Sequence, residues 1–164
     1  MLSFIKFARM LLIQLNINRR NGGKVMGKYE TINLMTAFEL EHAKKGTPNE
    51  NELMKKILAK DIELWKELYP RYEFFELSKL ADRGEDVLNS ILENGYKVTY
   101  ITLPGLKRLL EYRFGLIVDE HYTELELGLK DIKITTKQLE QLKIMLSSNW
   151  TIEEHQDGTI SISV

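Results

Sequence analysis

The densest group of chemically capable side chains is Asp119-Glu120-His121, followed by Glu124. Carboxylates beside an imidazole can ligate a metal ion, and in an extended strand Asp119 and His121 share a face. That supplies two ligands where a catalytic zinc takes three from the protein, and His42 and His155 lie far off along the chain. The pattern favours a solvated acidic loop over a metal centre. Nucleophilic chemistry has no better footing. Ser78, Ser90, Ser147 and Ser148 sit in no strained glycine elbow. No glycine-rich turn with a following lysine is placed to cradle phosphates. The chain has no cysteine, which excludes thiol catalysis, disulfides and thiolate-held metals. Glu124 and Glu126 alternate into a carboxylate stripe, but general acid–base work needs a desolvated cleft, and a water-facing strand edge accounts for them. The sequence names no catalytic residue, no metal ligand and no cofactor, and an enzyme is not indicated.

What remains is a patch of positive charge. Residues 95–115 hold Lys97, Lys107, Arg108 and Arg113 against one acid, Glu111. On a helix over Leu103–Phe114, Leu103, Leu106, Leu109 and Leu110 form the buried face. Lys107, Arg108, Tyr112 and Arg113 are left around the other side, with Lys97 on a neighbouring strand. Cations with an aromatic can grip phosphates, stack on a base, or anchor an acidic protein partner. Against nucleic acid, residues 26–164 carry 18 Lys and Arg but 24 Asp and Glu, a balance that repels a phosphate backbone. The helix around Glu85, Asp86 and Glu93 holds no cation, and the strand Ile132-Lys133-Ile134 lacks the aromatics of an RNA-reading sheet.

The elements that must position these residues form a helical half and a mixed half. Thr31–Lys45 reads as a helix stopped by Gly46. Thr47-Pro48-Asn49-Glu50 has the form of a capping box, opening a helix that runs from Pro48 to about Leu68 and ends at Pro70. Leu77, Leu80 and Ala81 continue at helical spacing. A cap at Asp82, with Glu85 three residues on, opens a further helix through Leu88 and Ile91 to Asn94-Gly95. Strands follow at 97–101, 122–127 and 131–135. Thr102 caps one helix, and Thr135 with Gln138 caps another lined by Leu139, Leu142, Met145 and Leu146. The echo of Ile101-Thr102-x3-Leu106-x2-Leu109 in Ile134-Thr135-x3-Leu139-x2-Leu142 would suit a ferredoxin-like half. A C-terminal hairpin should turn on three residues, Gln156-Asp157-Gly158, because that register aligns Ile152 with Ile162 and Trp150 with Val164. The inward set is then Trp150, Ile152, Ile160, Ile162 and Val164, with His155 on the other face, in solvent. Aromatic crowding at Trp65, Tyr69, Tyr72, Phe74 and Phe75 reads as core, or as a partner anchor where a ring is left exposed.

Composition bounds the rest. At 164 residues with 43% hydrophobic and 29% charged side chains, the chain is long enough to bury a sizeable core and is no disordered polyelectrolyte. The first 25 residues carry Lys6, Arg9, Arg19, Arg20 and Lys24 and no acid. The central apolar run there, Met10–Ile13, falls well short of the roughly 20 residues of a membrane span. Gly22-Gly23 can be encoded as a bacterial ribosome-binding core spaced before Met26, so residues 1–25 read as a translated leader or flexible segment. A packed helix and a membrane-surface anchor are the alternatives. The working chain is then one domain over 26–164. Five alanines against fifteen isoleucines point to an AT-rich genome, such as a low-GC bacterium or its phage.

The reading that follows is an α+β protein with a helical N-terminal half, about 31–94, packed on a small mixed or antiparallel sheet with two helices, about 96–164. Its expected setting is cytoplasmic. Its expected role is protein–protein contact, as an adaptor, inhibitor or regulator with an unidentified partner. The alternative is a nucleic-acid-binding regulator using Lys97, Lys107, Arg108, Tyr112 and Arg113.

Overall fold

The computed structural model describes residues 29–164, so the expectations for the leader, residues 1–25, lie outside the described residues. The fold is α+β. Strand β1 (Glu30–Ile32) is followed by five helices: α1 (Leu34–Lys45), α2 (Glu50–Leu58), α3 (Glu63–Leu68), α4 (Phe75–Leu80) and α5 (Glu85–Asn94). Then come β2 (Tyr96–Val98), α6 (Leu103–Phe114), β3 (Thr123–Leu125), β4 (Gly128–Lys133), α7 (Thr136–Met145), β5 (Thr151–Glu154) and β6 (Thr159–Ser163).

Helix α1 is the centre of the helical half. It packs on α2, α4 and α6, and every residue from Thr36 to Ala43 is buried. A helix covered on all sides is normally apolar throughout, yet this one buries Glu39, Glu41 and His42. Glu39 closes the start of α4, where its carboxylate accepts the Leu77 N–H at 2.7 Å. An acceptor placed there meets donors that the helix itself leaves unsatisfied. Burial nevertheless pushes the Glu39 carboxyl above its ordinary range. Close packing with α6 depends on Gly105, where an added Cβ would stand 2.6 Å from Leu34 Cδ2.

Several local expectations are corrected. The segment expected to open a helix at Thr31 is strand up to Ile32, paired in parallel with β2, and Asn33 caps α1 by accepting the Thr36 N–H at 2.8 Å. Thr47 does not cap α2. Its hydroxyl donates to the Ala43 carbonyl at 2.7 Å and accepts the indole N–H of buried Trp65 at 3.0 Å, which leaves the cap to Asn49. The single helix expected over 48–68 is two helices, because Lys60 turns into the left-handed region (φ 54°). There Lys60 N–H bonds Ile57 O and Asp61 N–H bonds Lys56 O, the paired closure of a Schellman motif. The break leaves Leu64 and Leu68 37% and 51% exposed. Asp82 sits in a short 3₁₀ turn and pairs with Lys60 at 2.7 Å, so Gly84 rather than Asp82 precedes α5.

The second sheet is antiparallel in the order β3-β4-β6-β5. β2 stays outside it, pairing with β1, so the ferredoxin-like arrangement does not form. The echoed motifs do share a local role, since Thr102 caps α6 and Thr135 with Gln138 forms the capping box of α7. The hairpin register is as expected: Ile152 pairs with Ile162, and Gly158 takes φ 84° in the turn. Ile160, Ile162, Leu129, Ile132 and Trp150 are buried on the inner face. Val164, expected inward, lies beyond the last pair and is exposed. His155 is half-buried, with Nε2 2.7 Å from the Ser161 hydroxyl. Within the mixed half, the segment before α6 is tied to the α7–β5 connection through the Ile101 backbone: its N–H donates to Ser147 Oγ at 3.0 Å, and its carbonyl accepts the Trp150 indole N–H at 2.7 Å.

Candidate contact site

The expected basic patch does not stay together. Arg113 turns inward, its side chain 11% exposed, with Nη1 3.4 Å from the Glu41 carboxylate. The same Glu41 oxygen accepts the buried Tyr96 hydroxyl at 2.6 Å and has Lys44 Nζ at 3.6 Å. The Arg113 guanidinium also lies over the rings of Tyr96 and Phe114, at 5.0 and 5.6 Å. This is a polar link between α1, α6 and β2, and it offers no free charge to a phosphate. Lys107 is held at 2.7 and 2.8 Å by the two oxygens of Glu124, which explains one member of the acidic stripe. Lys97 is exposed on β2.

Arg108 and Tyr112 belong to a different assembly. Positions 108 and 112 lie one turn apart on α6 and so share a face. Opposite them, Phe38, His42 and Lys45 fall at helical spacing along α1. The chain between α3 and α4 adds Tyr69, Arg71 and Tyr72. His42 is wedged among three tyrosine rings, with centroids 4.4 Å from Tyr69, 4.7 Å from Tyr72 and 4.3 Å from Tyr112. Phe38 meets Tyr112 edge-on at 5.5 Å, a favoured aromatic geometry. The Tyr72 and Tyr112 hydroxyls are 2.9 Å apart and bond to each other.

Two cations sit over this aromatic floor and a third, Arg71, adjoins Tyr72 in the chain. Lys45 Nζ is 5.9 Å from the centre of the Tyr112 ring, and the Arg108 guanidinium is 6.0 Å from that of Phe38. Arg108 and Arg71 are both close enough to Tyr72 to pull its phenol toward ionisation. Burial and the bond with Tyr112 outweigh them and hold it well above its ordinary value. Lys45, Arg71 and Arg108 are exposed, and none has an acidic partner among the described residues. Their neighbours in sequence behave otherwise: Lys44, Lys107 and Arg113 are all paired.

Both ring nitrogens of His42 are buried without a hydrogen-bond partner among the described residues. Burial, aided by the Lys45 charge, holds the imidazole below its ordinary value, so it packs as a neutral ring. The acidic loop is a turn, not the strand that would align Asp119 with His121. His121 Nδ1 accepts the Ile117 N–H at 3.1 Å, and Glu124 is occupied by Lys107. Among the described residues no three potential ligands gather into a metal-binding group, and no helix is long and apolar enough to cross a membrane.

Reading the sequence alone misses Lys45 and Arg71, and it offers Tyr69 and Tyr72 only within a separate aromatic cluster, not joined to Arg108 and Tyr112. The available signal was the spacing of Phe38, His42 and Lys45 on one side of α1, and the aromatic crowding before α4. Of that crowd, Trp65 and Phe74 are fully buried and Phe75 is 60% exposed. No protein-family model, curated protein or solved structure matches the chain, so the reading of this site rests on its own geometry.

Proposed function

We propose that the protein acts through protein–protein contact, as an adaptor, inhibitor or regulator, and that the face formed by Lys45, Tyr69, Arg71, Tyr72, Arg108 and Tyr112 is the contact surface. One observation carries this: three exposed cations, without acidic partners among the described residues, stand around a preassembled aromatic cluster, cations and rings together being drawn from α1, the α3–α4 segment and α6. Arginine and tyrosine dominate the energetics of protein interfaces because they cover much area at little entropic cost. Here the rings are already fixed by packing, so binding would not have to order them. The nucleic-acid alternative is weaker on the same geometry. Stacking a base needs an open ring face, whereas Tyr69, Tyr72 and Tyr112 all pack against His42, and Tyr112 also packs on Phe38.

The test is affinity capture from the source cells with the tagged full chain, beside the Arg71→Glu/Arg108→Glu variant. The proposal expects a stoichiometric protein with the wild type that is lost with the variant. Nucleic acid as the captured species, or a protein retained equally by both, would overturn it.

A further inference from the structure

The face has a definite chemical bias. Its exposed groups are positive charges, two guanidinium groups and one ammonium, with the half-buried hydroxyl pair of Tyr72 and Tyr112 as further donors. Within that pair one hydroxyl donates to the other, so one O–H has no acceptor among the described residues. The surroundings keep Tyr72 protonated and able to serve as a donor. A carboxylate is an acceptor-only group with two oxygens, and guanidinium and phenol donors make its strongest hydrogen bonds. Setting these three aside, residues 26–164 carry 15 Lys and Arg against 24 Asp and Glu, so within the domain an acidic segment is drawn to this face rather than to the acid-rich remainder.

We propose that the occupant of the Lys45–Arg71–Arg108 face is an acidic segment of a partner protein, with its Asp or Glu carboxylates held by Arg71, Arg108 and the Tyr72–Tyr112 hydroxyl pair. This rests on the reading of the face as a protein contact surface and adds the chemistry of what binds there. Lys45 supplies longer-range attraction from the end of α1.

The experiment is fluorescence anisotropy on the full chain at low salt. The probes are a short labelled peptide of alternating Glu and Gly, its Gln counterpart, and a labelled oligothymidylate. The Glu peptide is expected to bind saturably, and the Gln peptide not to bind. Arg71→Glu with Arg108→Glu should weaken binding about tenfold or more, as expected for reversing two contacting charges. Lys133→Glu with Lys137→Glu, an equal charge change on exposed residues of β4 and α7, should leave binding within about twofold. Tyr72→Phe, which removes a hydroxyl but keeps the ring, should weaken it about threefold. Circular dichroism confirms that each variant is folded. Absence of Glu-peptide binding, equal loss in the two charge-reversal pairs, or tighter binding of the oligothymidylate through the same arginines would overturn the proposal. If the peptide fails to bind while the captured protein still depends on Arg71 and Arg108, the acidic-segment inference falls alone. If capture survives their reversal, the contact-surface reading falls as well.

Discussion

Arg113 separates a structural role from a binding one. In sequence it belongs with Lys107 and Arg108; in the fold its guanidinium stands 3.4 Å from Glu41, with side chains 11% and 6% exposed. Replacing it with methionine keeps much of the stem and removes the charge, leaving Glu41 buried. Breaking a buried pair from one side costs about 3–5 kcal/mol. Tyr96 and Lys44 still serve the same carboxylate, at 2.6 and 3.6 Å, so the low end, about 3 kcal/mol, is expected here. For a domain of this size that is a fall in Tm of roughly 10 °C. Adding Glu41→Gln to Arg113→Met removes the stranded charge and should return about 1–2 kcal/mol relative to the sum of the single changes. Urea and thermal unfolding of the four proteins, followed by circular dichroism, measure the cycle. An Arg113→Met protein within about 0.5 kcal/mol of wild type, or a double variant no better than additive, would refute the buried link. Folded Arg113→Met should also bind the acidic peptide as well as wild type does, because Arg113 is not on the contact face.

Two further substitutions test the frame that carries the site. Burial and Lys45 hold folded His42 below 6.5, while the unfolded chain takes up a proton as pH falls through about 6.5. His42 therefore contributes stability that is present above that pH and is lost on descent toward the folded value. The urea midpoint of the wild type should fall more between neutral pH and mildly acid pH than that of His42→Phe, and parallel curves would contradict this. Lys60 holds φ 54° at the break after α2, a region that costs a non-glycine residue about 1–2 kcal/mol. Lys60→Gly loses only an exposed pair with Asp82, so its unfolding free energy should rise by about 0.5 kcal/mol; a fall of more than about 1 kcal/mol would show that the side chain matters more than the backbone.

What could be read from the sequence follows the range of the forces involved. Thr102, and Thr135 with Gln138, cap their helices as expected because among the described residues those hydroxyls bond only within their own four-residue motifs. The hairpin register is legible because Ile152, Ile160 and Ile162 must face one way and Gly158 alone can complete the short turn. The kink at Lys60 is hidden, since no glycine or proline marks it, and it arises where α2 closes and Asp61 turns back to Lys56. Thr47 fits a cap in one dimension and serves Trp65 in three. Glu39, Glu41 and His42 look like a solvent face by type, and only tertiary contacts show that α1 is enclosed. The site divides in the same way. Arg108 and Tyr112 could be paired from α6 alone, whereas Lys45, Tyr69, Arg71 and Tyr72 join them only through the packing of α1 and the α3–α4 segment. Charge sign drew Lys107 and Arg113 into the patch, and their partners Glu124 and Glu41 removed them.

The surface offers a rival: Leu125, Leu127 and Val164 are 45%, 65% and 65% exposed around the β3–β4 turn, and Val164 N–H reaches the Leu127 carbonyl at 3.4 Å. Titration of the isotope-labelled full chain with the Glu–Gly peptide, read residue by residue from its amide NMR spectrum, compares these surfaces with the others in one measurement. Saturable shifts concentrated at Lys45, Tyr69–Tyr72 and Arg108–Tyr112 are predicted. Shifts centred on Leu125–Val164, or on Lys97 and Lys107, would contradict the assignment of the contact face.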